Sequence, residues 1–286
     1  MKEHRLYNSG VALRTALEER LKRISREESV DLQRLRRQVA FDRFLARLFG
    51  SGRSDWALKG GYSMELRFRT ARATKDLDFT VRTAPSGAGD AILDCLQDAG
   101  ALDIGDYFMF RIGEAAMDLD GAPYGGARYP VEATMAGRAF VKFHLDVGVG
   151  DIIVEPTDLA ETRDWLGFAG LDAPRIPMIQ SEQQFAEKLH AYTLPREGAA
   201  NSRVRDLVDL TLLVRSGILN DARVVEAIRR TFARRGTHAV PQILTEPPES
   251  WGAPFAALAG ECSLGSSAGE AFGEVARYFN GLGLGG

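Results

Sequence analysis

Apolar residues recur at spacings of three and four along two stretches near the start of the chain. Leu13, Leu17, Leu21 and Ile24 form one stripe over residues 9–24. Leu32, Leu35, Val39 and Leu48 form another over 30–49, so each stretch predicts an amphipathic helix. Gly50 supplies a stop and Ser51-Gly52 a turn. Trp56-Ala57-Leu58 reads as a short buried strand. Lys59-Gly60-Gly61 interrupts it, and residues 62–68 supply one or two helical turns. Residues 76–81 alternate as a strand does, and residues 86–99 form a helix with Ala91, Ile92, Cys95 and Leu96 inward. Three β-like stretches follow at 107–112, 129–135 and 139–149.

Mixed strands and helices up to about residue 155 predict an α/β domain with a mixed sheet. Residues 156–180, with Pro156, Pro174 and Pro177, read as a connection. From Glu182 onward the period is helical, over 182–194, 203–216, 220–235 and 269–280, and the closing GLGLGG reads as a frayed end. The predicted division is an α/β lobe over 1–178 and a mainly helical lobe over 179–286. A length of 286 residues fits two domains at about 150 residues each. No internal repeat is visible.

Composition narrows the function classes. No stretch approaches the roughly 20 apolar residues of a membrane span, so no membrane partner is expected. The opening MKEHRLYNSG has no apolar signal region. Cys95 and Cys262 stand far apart without metal-type or redox-type neighbours, which fits a reducing cytoplasm and excludes a cysteine zinc site. The net charge of −3 is unevenly spread: residues 51–75 carry +4, 76–158 carry −10 and 196–236 carry +4. An acidic centre between basic segments suits binding of both a metal and a polyanion, although a solvated mixed-charge surface has the same pattern.

Within the acidic segment, Asp76 and Asp78 lie two apart on a predicted strand, so they project from one face while Leu77 and Phe79 face the core. Adjacent like charges repel unless a cation lies between them. Hard oxygen donors at this spacing suit Mg²⁺, with Mn²⁺ as an alternative. Upstream, Lys59-Gly60-Gly61-Tyr62-Ser63 falls at a strand-to-helix junction. Glycines there let the backbone approach a ligand, and the helix start offers N–H groups to phosphate. A plain tight turn would use the same glycines. A second strand carries Val141, Phe143, Leu145 and Val147 on one face and Lys142, His144 and Asp146 on the other. Asp146 is therefore the candidate third carboxylate, with His144 as its neighbour.

These residues resemble a known family. Lys59-Gly60-Gly61, then Arg69, then Thr74-x-Asp76-x-Asp78 is similar to the first motif of AbiEii-type nucleotidyltransferase toxins, including the mycobacterial MenT group. These belong to the DNA polymerase beta-like nucleotidyltransferase superfamily. Glu187-Lys188-Leu189-His190-Ala191 and Arg205-Asp206-Leu207-Val208-Asp209-Leu210 resemble the later motifs, and the likeness spans about residues 55–215. Residues 193–202 are longer than in compact members.

The resemblance implies a nucleotidyltransferase-type α/β lobe followed by a helical lobe that completes the active site. It implies a nucleoside triphosphate substrate, Mg²⁺ and a cognate AbiEi-type antitoxin. It also implies transfer of nucleotides to an RNA acceptor, the tRNA 3′ end in several members, which blocks aminoacylation and growth. By this likeness Asp76, Asp78 and Asp146 hold metal, and Gly60, Gly61 and Ser63, with Lys59 beside them, cradle the triphosphate. Lys188 contacts the triphosphate, and either Asp206 or Asp209 completes the helical side. Helices carrying Arg34, Arg36, Arg37, Arg43 and Arg47, and Arg223, Arg229, Arg230, Arg234 and Arg235, are candidates for an RNA backbone. Modification of a protein or small molecule, or a silent partner that binds NTP or RNA, are the alternatives.

Overall fold

The computed structural model describes residues 7–50, 52, 55–82, 88–119, 121–195 and 203–284. Ser51, residues 86–87 of the expected helix, 196–202 of the long connection, the first six residues and the last two glycines lie outside the described residues. In chain order the elements are α1 (Gly10–Glu28), α2 (Leu32–Gly50), β1 (Trp56–Lys59), α3 (Gly60–Arg67), β2 (Asp76–Val81), α4 (Ala88–Ala101), β3 (Phe108–Ile112), β4 (Met117–Asp118), β5 (Gly126–Met135), β6 (Arg138–Val149), β7 (Asp158–Glu161), β8 (Arg175–Met178), α5 (Ser181–Thr193), α6 (Val204–Arg215), α7 (Asp221–Arg235), α8 (Gly252–Glu261) and α9 (Ala268–Gly281).

The chain forms two compact units. One comprises the chain up to Leu58, then Thr74–Gly150 and Leu159–Met178. The other comprises Lys59–Ala73, Asp151–Asp158 and everything from Ile179 on. The last crossing falls between Met178 and Ile179. Two short segments ahead of it also belong with the helices: Lys59–Ala73, whose Met64 and Ala71 are buried in the helical core, and Asp151–Asp158, whose Asp151 pairs with Arg235.

The first unit is built on a mixed sheet of eight strands, ordered β3-β5-β6-β2-β1-β8-β7, with β4 paired to β5. β1 runs parallel to β8 and β2 parallel to β6, while β5 is antiparallel to β3, β4 and β6. Alternation decides the faces. Leu77, Phe79, Phe143, Leu145 and Val147 are buried, as the sequence pattern predicts. α2 packs on β6, and its buried Phe41 and Phe44 meet Phe143 and Phe110 edge-on, with ring centroids 4.9 and 5.5 Å apart.

One expectation for α2 is corrected. Arg43 and Arg47 are buried rather than facing a nucleic acid. Arg47 donates from Nη1 and Nη2 to Asp106 at 2.8 and 2.6 Å, and Arg43 Nε donates to the same carboxylate at 2.7 Å. A charge this deep persists only when paired, and Asp106, placed 59 residues after Arg47 in sequence, is the partner that helix periodicity does not reveal.

The second unit packs α5, α6, α7, α8 and α9 around Phe185, Leu189, Leu207, Leu210, Leu213, Ile228, Phe255 and Phe279. Asn220 caps α7 by accepting from the Arg223 amide, and Ser267 with Glu270 forms a capping box on α9. Arg235, expected on an exposed basic face, is drawn inward by carboxylates, whereas Arg223, Arg229, Arg230 and Arg234 remain exposed.

Candidate active site

The carboxylates expected to hold metal all lie in the sheet unit. β2 and β6 pair in register so that Asp76 lies beside His144 and Asp78 beside Asp146. Side chains of registered partners project from the same face, so all four stand together on the face opposite the core. The antiparallel neighbour β5 adds Arg128 beside Asp146, Pro130 beside His144 and Glu132 beside Lys142. Asp76 Oδ1 lies 3.2 Å from Nδ1 of His144.

Arg128 is the residue that sequence reasoning missed. Its Nε donates to Asp146 Oδ1 at 2.7 Å and its Nη2 to Oδ2 at 2.6 Å, while Nη2 lies 3.7 Å from Asp76 Oδ2. The hydrogen bonds it donates to Asp146 raise the guanidinium pKa above its ordinary value, and the charges of Asp76 and Asp78 add to the effect. Among the described residues, no group of three or more His, Cys, Asp or Glu side chains is arranged to hold a metal ion. The donor chemistry of Asp76, Asp78 and Asp146, carboxylate oxygens projecting from one face, does suit a hard divalent cation. A cavity of about 780 Å³ opens over this face and is lined by Lys75, Asp76, Arg111, Arg128, Lys142 and His144 among others.

The glycine junction and the later motifs lie in the helical unit. β1 ends at Lys59 and α3 begins at Gly60, so the helix takes in the two glycines that the sequence reads as an interruption before residue 62. Gly60 has φ of +69°, a left-handed conformation that a side chain would strain. The loop is fixed from α5: Gln184 Nε2 donates to the Gly60 carbonyl at 3.0 Å, and the buried Ser63 hydroxyl lies 2.9 Å from that carbonyl and 3.0 Å from Gln184 Oε1. Ser63 thus braces the turn that orients the positive end of α3.

Lys59 is not an open cation. Its ammonium donates to Asp151 at 2.6 Å and lies 3.4 Å from Glu187, and Arg235 closes the same array by donating to Asp151 from Nε and Nη2 at 3.0 Å each. Burial pushes the Asp151 carboxyl up, but Lys59 and Arg235 outweigh it and hold it down at about 2. Beside the array, burial and the Arg235 charge depress His190 to about 4. Arg235 Nη1 lies 3.4 Å from Nδ1 of His190, and Nε2 meets the Thr237 hydroxyl at 2.8 Å, the pattern of a neutral ring.

Because the unfolded chain protonates this histidine near 6.5 and the folded chain only near 4, its contribution to stability is complete above pH 6.5 and is lost as pH falls toward 4. Tm should therefore decline across that window, and His190→Gln should flatten the decline in a calorimetric pH series. An unchanged slope in the variant would refute this assignment.

Lys188 and both motif aspartates also converge. Lys188 Nζ lies 3.1 Å from Asp206 Oδ1 and 2.8 Å from Asp209 Oδ2. Arg72 grips Asp209 with Nε and Nη2 at 3.1 and 2.9 Å. Burial alone would lower the Lys188 pKa, yet Asp209 and Asp206 raise it. Asp209 is correspondingly held below the carboxylate range, since Lys188 and Arg72 overcome its burial. The arginine serving this motif is Arg72, whereas Arg69 is exposed in the turn after α3.

A mixed sheet with paired aspartates on one strand, and a strand–glycine–helix junction ahead of them, defines a nucleotidyltransferase. The chain belongs to the AbiEii nucleotidyl transferase toxin family of type IV toxin–antitoxin systems, whose model matches residues 43–276. It is therefore a nucleotidyltransferase enzyme of a toxin family. Its fold is similar to MenT4, a nucleotidyltransferase toxin from Mycobacterium tuberculosis H37Rv, with a TM-score of 0.57 at 17% identity over 94% of this chain and 98% of that one. JHP933 from Helicobacter pylori aligns at a TM-score of 0.45 and 16% identity over 89% and 99% of the two chains. No curated protein matches the chain significantly. Family membership implies an NTP substrate and a type IV antitoxin partner. No helix among the described residues is long and apolar enough to cross a membrane.

Proposed function

We propose that this enzyme transfers nucleotides from an NTP to the 3′ hydroxyl of an RNA, with the tRNA acceptor end as the preferred target and Mg²⁺ or Mn²⁺ as cofactor. The observation that carries this reading is the in-register placement of Asp76, Asp78 and Asp146 on one sheet face, with Asp76 lining a cavity that also takes in Lys75, Arg111, Arg128 and Lys142. In this reading the three aspartates hold the divalent ion. When bound, such an ion neutralises charge on the transferring phosphate and lowers the pKa of the attacking hydroxyl.

The chain's own residues do the rest. Within the helical unit, the first turn of α3, oriented by Gly60 and Ser63, presents a positive helix end that suits an anion. Lys59 and Lys188 are each engaged by two carboxylates within the helical unit, so neither is offered as a free phosphate ligand. The attacking oxygen bonds to the α-phosphorus and gives its proton to solvent, the bond from that phosphorus to the α–β bridging oxygen breaks, and pyrophosphate leaves with that oxygen. Growth arrest and a cytoplasmic site of action follow from tRNA as target.

The test is incubation of the pure protein with total RNA, Mg²⁺ and each labelled NTP in turn, with protein and small-molecule acceptors in parallel. Label at RNA 3′ ends, lost after mild 3′-exonuclease trimming, is the expected result. Label only in protein or small molecules would replace the RNA acceptor.

A further inference from the structure

The Arg128 side chain stands among the carboxylates just assigned to metal, and three facts define what it does there. It satisfies both oxygens of Asp146 in a forked pair at 2.7 and 2.6 Å. It extends to Asp76 at 3.7 Å. Its side chain is 31% exposed and lines the cavity of about 780 Å³, so it has space to leave the carboxylates without disturbing the core.

We propose that Arg128 is a resident counter-cation for Asp146 and Asp76, and that a divalent ion binds by displacing it. This inference rests on the metal-holding role given to Asp76, Asp78 and Asp146 above. Three carboxylates on one face repel one another, and a guanidinium relieves that repulsion when no metal is present. The two cations are mutually exclusive at Asp146. Mg²⁺ and Mn²⁺ need carboxylate lone pairs at short range in a near-octahedral shell, and the fork of Arg128 already engages both oxygens. The measured metal affinity is then the intrinsic affinity reduced by the fraction of molecules in which Arg128 has swung away. Once displaced into the cavity, the guanidinium is a fork suited to a phosphate. Loading of metal and presentation of a phosphate-binding cation would thereby be one event. Before metal binds the residue acts through the carboxylates as a positioning residue, and only after displacement is its guanidinium available to a phosphate.

The test measures Mn²⁺ binding by the intact protein, without nucleotide, by electron paramagnetic resonance and calorimetry. R128Q removes the competing charge and should bind Mn²⁺ roughly tenfold more tightly than the wild type. R128K keeps a charge but loses the fork, and should fall between them. R128Q should also melt lower than wild type without metal and gain more in Tm when Mn²⁺ is added. A merely structural arginine would lower the Tm and leave the Mn²⁺ affinity unchanged or weaker. Equal or weaker Mn²⁺ binding in R128Q and R128K, with wild-type binding intact, overturns the exchange and leaves the metal reading standing. Absence of Mn²⁺ binding in all three proteins overturns both.

Discussion

Asp78→Asn is expected to reduce nucleotide transfer by about a hundredfold or more while leaving the melting temperature close to that of the wild type. The substitution keeps the shape of the side chain and removes its charge. Asp78 sits directly beside Asp146 in the β2–β6 register and two residues from Asp76, so it belongs to a face that already carries an excess of negative charge. Removing one of three like charges relieves repulsion, which is why the fold should tolerate the change. Losing one anionic ligand should remove several kcal/mol of transition-state charge stabilisation, and each 1.4 kcal/mol is a factor of ten in rate. Transfer of labelled NTP to RNA gives the activity, and calorimetry gives the Tm. Activity within a fewfold of wild type would refute the catalytic assignment. Loss of activity together with a large drop in Tm would show instead that Asp78 is a structural residue.

The sequence made local features legible and left long-range ones hidden. Strand alternation placed Asp76 and Asp78 on one face and Lys142, His144 and Asp146 on another, and glycine chemistry placed a strand-to-helix junction within residues 59–63, which the structure puts between Lys59 and Gly60. The helical period found α5, α6, α7 and α9 to within a residue or two. What no period encodes is pairing. That β2 lies beside β6, bringing Asp76 against His144 across 68 residues of chain, is decided by the sheet as a whole. The same holds for Arg128, which reads as one more charged position on β5 until the β5–β6 register sets it opposite Asp146.

Buried ion pairs were misread for a related reason. Arg43, Arg47, Lys59 and Arg235 look like exposed cations because their partners, Asp106 and Asp151, lie tens of residues away. Short elements also escaped. β7 and β8 lie within a proline-bearing stretch that reads as a connection, and the Ala- and Gly-rich α8 has little periodicity to detect.

The pairing of Asp209 leads to the second large effect. Asp209→Ala is expected to destabilise the helical unit by about 3–5 kcal/mol, the usual result of leaving buried charges without their partner. Asp209 is fully buried and is gripped by Arg72 on one side and Lys188 on the other. Without it those two cations face each other with only Asp206 to balance them. The two motif aspartates are thus not equivalent: Asp209 is the keystone of the ion cluster, and Asp206, which meets Lys188 at 3.1 Å and the more exposed Arg203 at 3.8 Å, is the one whose loss the fold can better absorb.

A double variant isolates the cause. Lys188→Met with Asp209→Ala removes one charge of each sign and leaves Arg72 with Asp206, so it should recover part of the lost stability. Calorimetric or chemical denaturation of the single and double variants measures both quantities. If Asp209→Ala melts like the wild type yet loses transfer, Asp209 acts in catalysis rather than in holding α6. If the double variant is no more stable than the single one, unbalanced charge is not what Asp209 prevents.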